Sequence, residues 1–278
     1  MDATTRTVRV PGLEIDFEVL ADDSVIGPAI ERGAWEDHET ALFRAHLSPG
    51  ARVLDLGANV GWFAVQAILA GAEVDAFEPV PAIADVAERN IACAAEHGPG
   101  HGRLHRFAAG DRAGTARIAL ASENHGDNRV LDEGAERPED MGEVEEVEIR
   151  IERVDDHVRG PVDVLKIDTQ GSEWLALRGA ERLLADSPRL ALLMEFWPYA
   201  LRGGEPAELL ALLADQGFRI GKATAAPYPM EPARILRQAA ARDPVKGGLD
   251  LYAVRGRPFH VLGPAARLRS IWRRRRED

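Results

Sequence analysis

The stretch Val53-Leu-Asp-Leu-Gly-Ala-Asn-Val-Gly61 sets a carboxylate and two glycines where a buried strand should run into a tight turn and open a helix. Gly57 lets the backbone take unusual dihedrals and lets a ligand approach the main chain. Asp55 falls at the strand end, where its carboxylate reaches the crevice at the carboxyl edge of a parallel sheet. Glu78, ending the next strand, is spaced to accept hydrogen bonds from both hydroxyls of a ribose. Together these positions call for an adenosine-containing cofactor. A dinucleotide site wants G-x-G-x-x-G, so that a helix N-terminus can hold the pyrophosphate. Here the glycines stand at 57 and 61, and an acidic residue precedes the turn. That carboxylate would repel a pyrophosphate but suits the ammonium and sulfonium groups of S-adenosylmethionine. Charge therefore selects a methyl donor. The alternatives are an NAD(P)-dependent oxidoreductase on the same fold and a non-catalytic scaffold that retains the cofactor site.

A second constellation is Val164-Leu-Lys-Ile-Asp-Thr-Gln-Gly-Ser-Glu173. Asp168 falls at the carboxyl end of a middle strand, beside the expected position of the reactive methyl. There it could orient donor or acceptor, take the acceptor's proton, or simply cap a helix starting near Ser172. Glu195 ends the following strand and could share the site, or form with Asp168 a pair of hard oxygen ligands for Mg²⁺, which nothing in the sequence fixes. His125, in His125-Gly-Asp-Asn-Arg129, is a candidate general base on an acceptor-binding flap; the same loop could equally be plain solvated surface. Trp197 and Tyr199 follow Glu195 and could stack on a ring of the acceptor, or be partly buried in the core.

These residues need a scaffold, and the pattern supplies one. From about Arg52 short apolar runs alternate with helix-like stretches, as in βαβ units around a parallel sheet. Strands are predicted at Arg52–Leu56, Glu73–Glu78, Arg103–Ala108, Val162–Ile167, Leu190–Met194, Phe218–Ile220 and Asp250–Val254. Helices are predicted at Trp62–Ala70, Ile83–Glu96, Glu173–Ala185 and Ala207–Gln216. Thr115–Ala121 and Val144–Val154 alternate with period two and read as an antiparallel pair appended to the sheet, joined by a long loop over 122–142. The fold class is thus α/β, Rossmann-like, a mostly parallel seven-stranded sheet with helices on both faces. The chain reads as a single domain: a cap over 1–50 with a hairpin and a helix, a core over 51–262 and a basic tail over 263–278.

Asp55-Leu-Gly-Ala-Asn-Val-Gly-Trp-Phe63, Phe77-Glu-Pro79, Asn90-Ile91 and Lys166-Ile-Asp-Thr-Gln-Gly-Ser-Glu173 follow one another in order. Leu177-Arg-Gly-Ala180 and Met194-Glu195 come next. On these motifs, from about Trp35 to Glu195, the chain resembles the FkbM-type methyltransferases. The resemblance implies a class I methyltransferase sheet whose last strand is antiparallel, and O-methylation of a sugar, polyketide or other secondary-metabolite hydroxyl. It implies donor contacts by Asp55, Gly57, Asn59 and Glu78, to which the same turns add Ala58, Gly61 and Pro79. Glu36 stands where such proteins often carry an aromatic-Glu pair and is expected at the donor's ammonium; Asp111 is a candidate for the adenine amino group. The Asn/Asp-Pro-Pro-aromatic motif of many amino-group methylases is absent, which favours oxygen over nitrogen. Beyond about Gly203 no signature can be placed.

Composition bounds the rest. A net charge of -12 argues against general nucleic-acid binding, which is built from Lys and Arg. The basic run Arg267–Arg276 reads as a solvated terminus rather than as a contact for anionic lipid or RNA. The single cysteine, Cys93, excludes an internal disulfide and points to a reducing compartment. Neither a signal-peptide core nor an apolar run of roughly 18 residues is visible. A cytoplasmic protein acting on a small-molecule hydroxyl is expected, with its oligomeric state open.

Overall fold

A computed structural model of the chain describes residues 4–121, 124–131, 144–242, 244, 248–260 and 262. The chain opens with a hairpin, β1 (Thr5–Arg9) and β2 (Asp16–Leu20), followed by α1 (Ile26–Glu31) and α2 (Asp37–Arg44). One helix is predicted from the sequence here; two form, separated at Gly33, whose φ of 64° ends the first. Then come β3 (Arg52–Leu56), α3 (Trp62–Leu69), β4 (Glu73–Phe77), α4 (Pro81–His97) and β5 (His101–His105). The next five elements are β6 (Ala108–Ala109), β7 (Gly114–Ala119), β8 (Arg129–Leu131), β9 (Glu146–Glu152) and α5 (Val154–His157). The final stretch carries β10 (Val164–Ile167), α6 (Glu173–Gly179), α7 (Glu181–Asp186), β11 (Leu190–Phe196), α8 (Pro206–Asp215), β12 (Arg219–Lys222), α9 (Pro232–Ala240) and β13 (Leu249–Arg255).

Seven strands form the main sheet in the order β12-β13-β11-β10-β3-β4-β5. The pairs from β11 through β10, β3 and β4 to β5 are parallel, and β13 runs antiparallel to both its neighbours. Alternate residues serve two cores. Val53, Val164, Leu193, Tyr252 and Val254 join α3, α4 and the N-terminal hairpin in one, whereas Leu54, Leu56, Leu165, Ile167, Leu192, Met194 and Leu251 join α6 to α9 in the other.

Two expectations are corrected. The antiparallel pair does form, Ala116 opposite Ile149, but it is not appended to the main sheet: β6, β9, β7 and β8 make a separate four-stranded sheet. Ile118 and Ile149 turn their side chains into the first core, so this small sheet closes over the end of the molecule instead of extending an edge. The helix expected over Glu173–Ala185 breaks at Ala180. Asp155 caps the new start, its carboxylate accepting the N–H groups of Arg182 at 2.8 Å and Leu183 at 2.9 Å. The sequence also missed α9. The expected basic tail and most of the long loop lie outside the described residues; among the latter no helix is long and apolar enough to cross a membrane.

Candidate active site

The strand alternation that buries Val53, Val164, Leu193 and Tyr252 continues, near the carboxyl ends, into charge. By the same parity Asp55, Lys166, Glu195 and Asp250 fall on the face covered by the N-terminal cap, with Lys166 opposite Asp55 and Glu195 opposite Asp250 in register. A cavity of about 420 Å³ opens over this row. Lys166 is the one lysine or arginine lining it among the described residues, against the carboxylates Glu36, Glu78, Asp168, Glu195 and Asp250; a sixth, Asp127, is paired with Arg129 at 3.0 Å.

Lys166 Nζ lies 3.1 Å from Asp168 Oδ2 and 3.4 Å from Glu36 Oε2, over the Phe63 ring at 5.0 Å. Burial opposes its charge, but Asp168, Glu36 and Asp250 outweigh burial and hold the ammonium well above its ordinary range. One lysine cannot neutralise the whole cluster. Burial pushes Glu36 up to about 7 despite Lys166, and it raises Glu39 and Asp250 as well. Asp55 is 1% exposed, neither of its oxygens has a hydrogen bond of good geometry, and burial pushes it up to about 7 against the pull of Lys166 and, more weakly, of the nearby Ala64 N–H. A buried carboxylate without a partner is costly unless something cationic comes to it.

The Asp168–Glu173 segment is built by its last residue. Glu173 is fully buried, and its Oε1 accepts the Thr169 N–H at 3.0 Å, the Thr169 hydroxyl at 3.1 Å and the Gly171 N–H at 3.1 Å. The turn so tied gives Gln170 a left-handed φ of 48°. Its amide then donates from Nε2 to Asp168 Oδ1 at 2.7 Å and to Glu195 Oε2 at 2.8 Å. Asp168 therefore does not cap α6; its two oxygens go to Lys166 and Gln170.

The opposite wall is the glycine turn. Gly57 has φ +84°, and a Cβ there would stand 1.8 Å from the Asp168 carbonyl oxygen, so only glycine brings the two strand ends this close. Glu78 accepts the Asn59 N–H at 3.0 Å and the Val80 N–H at 2.9 Å, while burial pushes it up to about 7. The Asn59 side chain reaches across to donate to the His125 carbonyl at 2.9 Å, fastening residues 124–128 over the cavity.

Of the residues expected at the site, Glu36, Gly57, Ala58, Asn59, Glu78, Pro79, His125, Asp168 and Glu195 line the cavity. Asp55 lies beneath it, and Gly61 starts α3 behind the turn with φ 87°. Asp111 is not among the lining residues: it follows β6, whose Ala108 and Ala109 do line the cavity, and stands beside Arg112. The ring of His125 is turned to the cap, with Nε2 at 3.2 Å from Asp22 Oδ1. Trp197 lines the cavity with Arg129 stacked on it at 4.5 Å; Tyr199 points outward, 54% exposed. The Mg²⁺ pair finds no support. Asp168 and Glu195 converge on an amide donor, and no group of three or more His, Cys, Asp or Glu side chains among the described residues is placed to hold a metal ion. Sequence reasoning assigned no role to Lys166, Gln170, Glu39 or Asp250. For the first two, the signal available was their place in the second motif.

Comparison with known proteins adds the family. Residues 55–220 match the methyltransferase FkbM domain. The chain is 31% identical over 270 residues to the 31-O-demethyl-FK506 methyltransferase FkbM of Streptomyces tacrolimicus, covering 87% of this chain and 98% of that protein. Among solved structures, a methyltransferase FkbM from Methylobacillus flagellatus aligns with a TM-score of 0.46 and 18% identity over 74% of this chain, which spans 44% of that one. A TehB-like SAM-dependent methyltransferase from Corynebacterium glutamicum aligns with a TM-score of 0.42 and 15% identity, over 84% of this chain and 94% of the other.

Proposed function

This chain belongs to the FkbM methyltransferase family, and from that premise we propose that it moves a methyl group from S-adenosylmethionine to a hydroxyl of a small molecule, a sugar, polyketide or other secondary metabolite. The observation that carries the reading is the excess of buried carboxylate over cation at the carboxyl edge of the sheet, Asp55 with no partner above all. The residues fit a cationic donor. Glu36 and Asp55 offer negative charge to its ammonium and sulfonium groups, Glu78 keeps lone pairs for ribose hydroxyls, and Gly57 lets the turn pack against the end of the neighbouring strand. When bound, the donor supplies a methyl carbon already activated by sulfonium. What remains for the protein is alignment and removal of the acceptor's proton.

Asp168 and Glu195 stand at the same end of the cavity as Trp197, whose ring offers an apolar wall to an acceptor. The His125 ring lies with Nε2 3.2 Å from Asp22 of the cap, while backbone contacts to Asn59 and Asp23 hold the loop, so we place the proton acceptor elsewhere. The 31-O-demethyl-FK506 methyltransferase relative supports an oxygen acceptor by its name. The test is transfer from methyl-labelled donor to a panel of sugar and polyketide alcohols and matched amines, read by mass spectrometry. Label on ether oxygen is expected. Label on nitrogen alone, or saturable donor binding without transfer to any hydroxyl, would refute the assignment.

A further inference from the structure

Asp168 and Glu195 share one amide, yet their surroundings are unequal. Both Asp168 oxygens are engaged, Oδ2 by Lys166 at 3.1 Å and Oδ1 by Gln170 at 2.7 Å. Glu195 holds the same amide through Oε2 at 2.8 Å, and among the described residues no donor is set against its Oε1. We infer that Glu195 is the carboxylate that takes the acceptor's proton and that Gln170 is its positioning residue, tying it to an Asp168 already pinned by Lys166. The inference rests on the methyltransferase reading for the proton's source and on the geometry alone for the roles.

A side-chain amide is well suited to this task. It is neutral at every pH, so it can sit between two carboxylates and satisfy both, where a second lysine would simply lock both as ion pairs. The geometry is enforced from the backbone: Glu173 ties the turn, and Gly171, with φ +98°, passes so close to the Ala200 carbonyl that a Cβ would lie 2.2 Å from its oxygen. Gln170 is thereby held in a left-handed conformation that a free loop would abandon. Glu195 itself is faced by Asp168 beyond β10, Glu173 of α6, Asp250 of β13 and Lys166 of β10. Burial first, then the three carboxylates, push it well above the ordinary carboxylate range against the pull of Lys166. A carboxylate so raised binds a proton more readily than an ordinary one. The balance is simple. The hydroxyl proton passes to Glu195 while the oxygen lone pair forms the new carbon–oxygen bond, the carbon–sulfur pair stays on sulfur, and Glu195 afterwards returns the proton to water.

The test is a pH titration of the full chain labelled with ¹³C at Asp and Glu carboxyls, followed by NMR. The resonance lost in Glu195→Gln identifies Glu195. Its midpoint is expected above the ordinary range in the wild type. In Gln170→Leu, which removes the donor, and in Gln170→Glu, which keeps the shape and reverses the role, it should rise by about one pH unit or more. Circular dichroism verifies that each variant is folded. A role confined to stabilising the turn would lower the melting temperature and leave the Glu195 midpoint where it was. An unmoved midpoint in the folded variants, or an ordinary midpoint in the wild type, overturns the inference. Failure of the wild type to bind S-adenosylhomocysteine would instead count against the methyltransferase reading and leave the titration result standing.

Discussion

Asp55 offers a stability test that needs no substrate. Its carboxyl is pushed up to about 7 from an ordinary 3.8, chiefly by burial. The native state therefore holds this proton more tightly than the unfolded chain does. The resulting stabilisation is fully present below the ordinary value and is lost as pH rises through about 7. Between pH 5.5 and 8 the loss from this one group comes to about 2 kcal/mol. For a chain of this size that is about 4–8 °C in melting temperature. Glu36 and Glu78, pushed up to about 7 by the same cause, add dependence of the same sign. The assay is thermal unfolding of the wild type and Asp55→Asn, without ligand, at both pH values. The wild type should lose about 4–8 °C more than the variant on going to pH 8. Equal losses in the two proteins would refute the idea that Asp55 is a strained, uncompensated carboxylate.

Three further substitutions probe the frame around it. Gly57→Ala places a methyl into the Asp168 carbonyl and an unfavourable φ on alanine, and it should cost about 3 kcal/mol or more in urea unfolding. Gly50→Ala, with φ +75° but open space, should cost only about 1 kcal/mol, and equal costs would mean that the contact between the strand ends is not tight. Lys166→Met leaves the half-buried Glu36 and Asp168 without their cation and should destabilise the protein by about 2–3 kcal/mol at pH 8. The cost should shrink at pH 5.5, where Glu36 takes a proton; a pH-independent cost would show that Lys166 acts by packing on Phe63 alone.

Much of this site was legible because strand parity and motif order are local. Val53 and Asp55 lie two apart, so whatever buries one turns the other the same way, and Glu78 follows from the next strand by the same rule. What the sequence hid depends on distant segments meeting. Asp250 reaches the site only because β13 inserts antiparallel between β11 and β12, setting it opposite Glu195. The role of Gln170 depends on Glu173 folding back to tie its turn, which no periodicity reports. The second sheet, which β6 joins directly after β5, leaves no mark in an apolar-run pattern. His125 sits where a flap should be, yet its ring turns toward Asp22 of the cap, a residue distant in sequence.

The central claim is that this cavity binds the methyl donor through its carboxylates. Calorimetric titration of the purified protein with S-adenosylhomocysteine tests it most directly, using the wild type beside Glu78→Ala and Asp111→Ala. Saturable one-to-one binding in the micromolar range is expected, weakened by about tenfold or more in Glu78→Ala through loss of a charge-assisted hydrogen bond and unchanged in Asp111→Ala. Absence of binding by the folded wild type, or full affinity in Glu78→Ala, would contradict it.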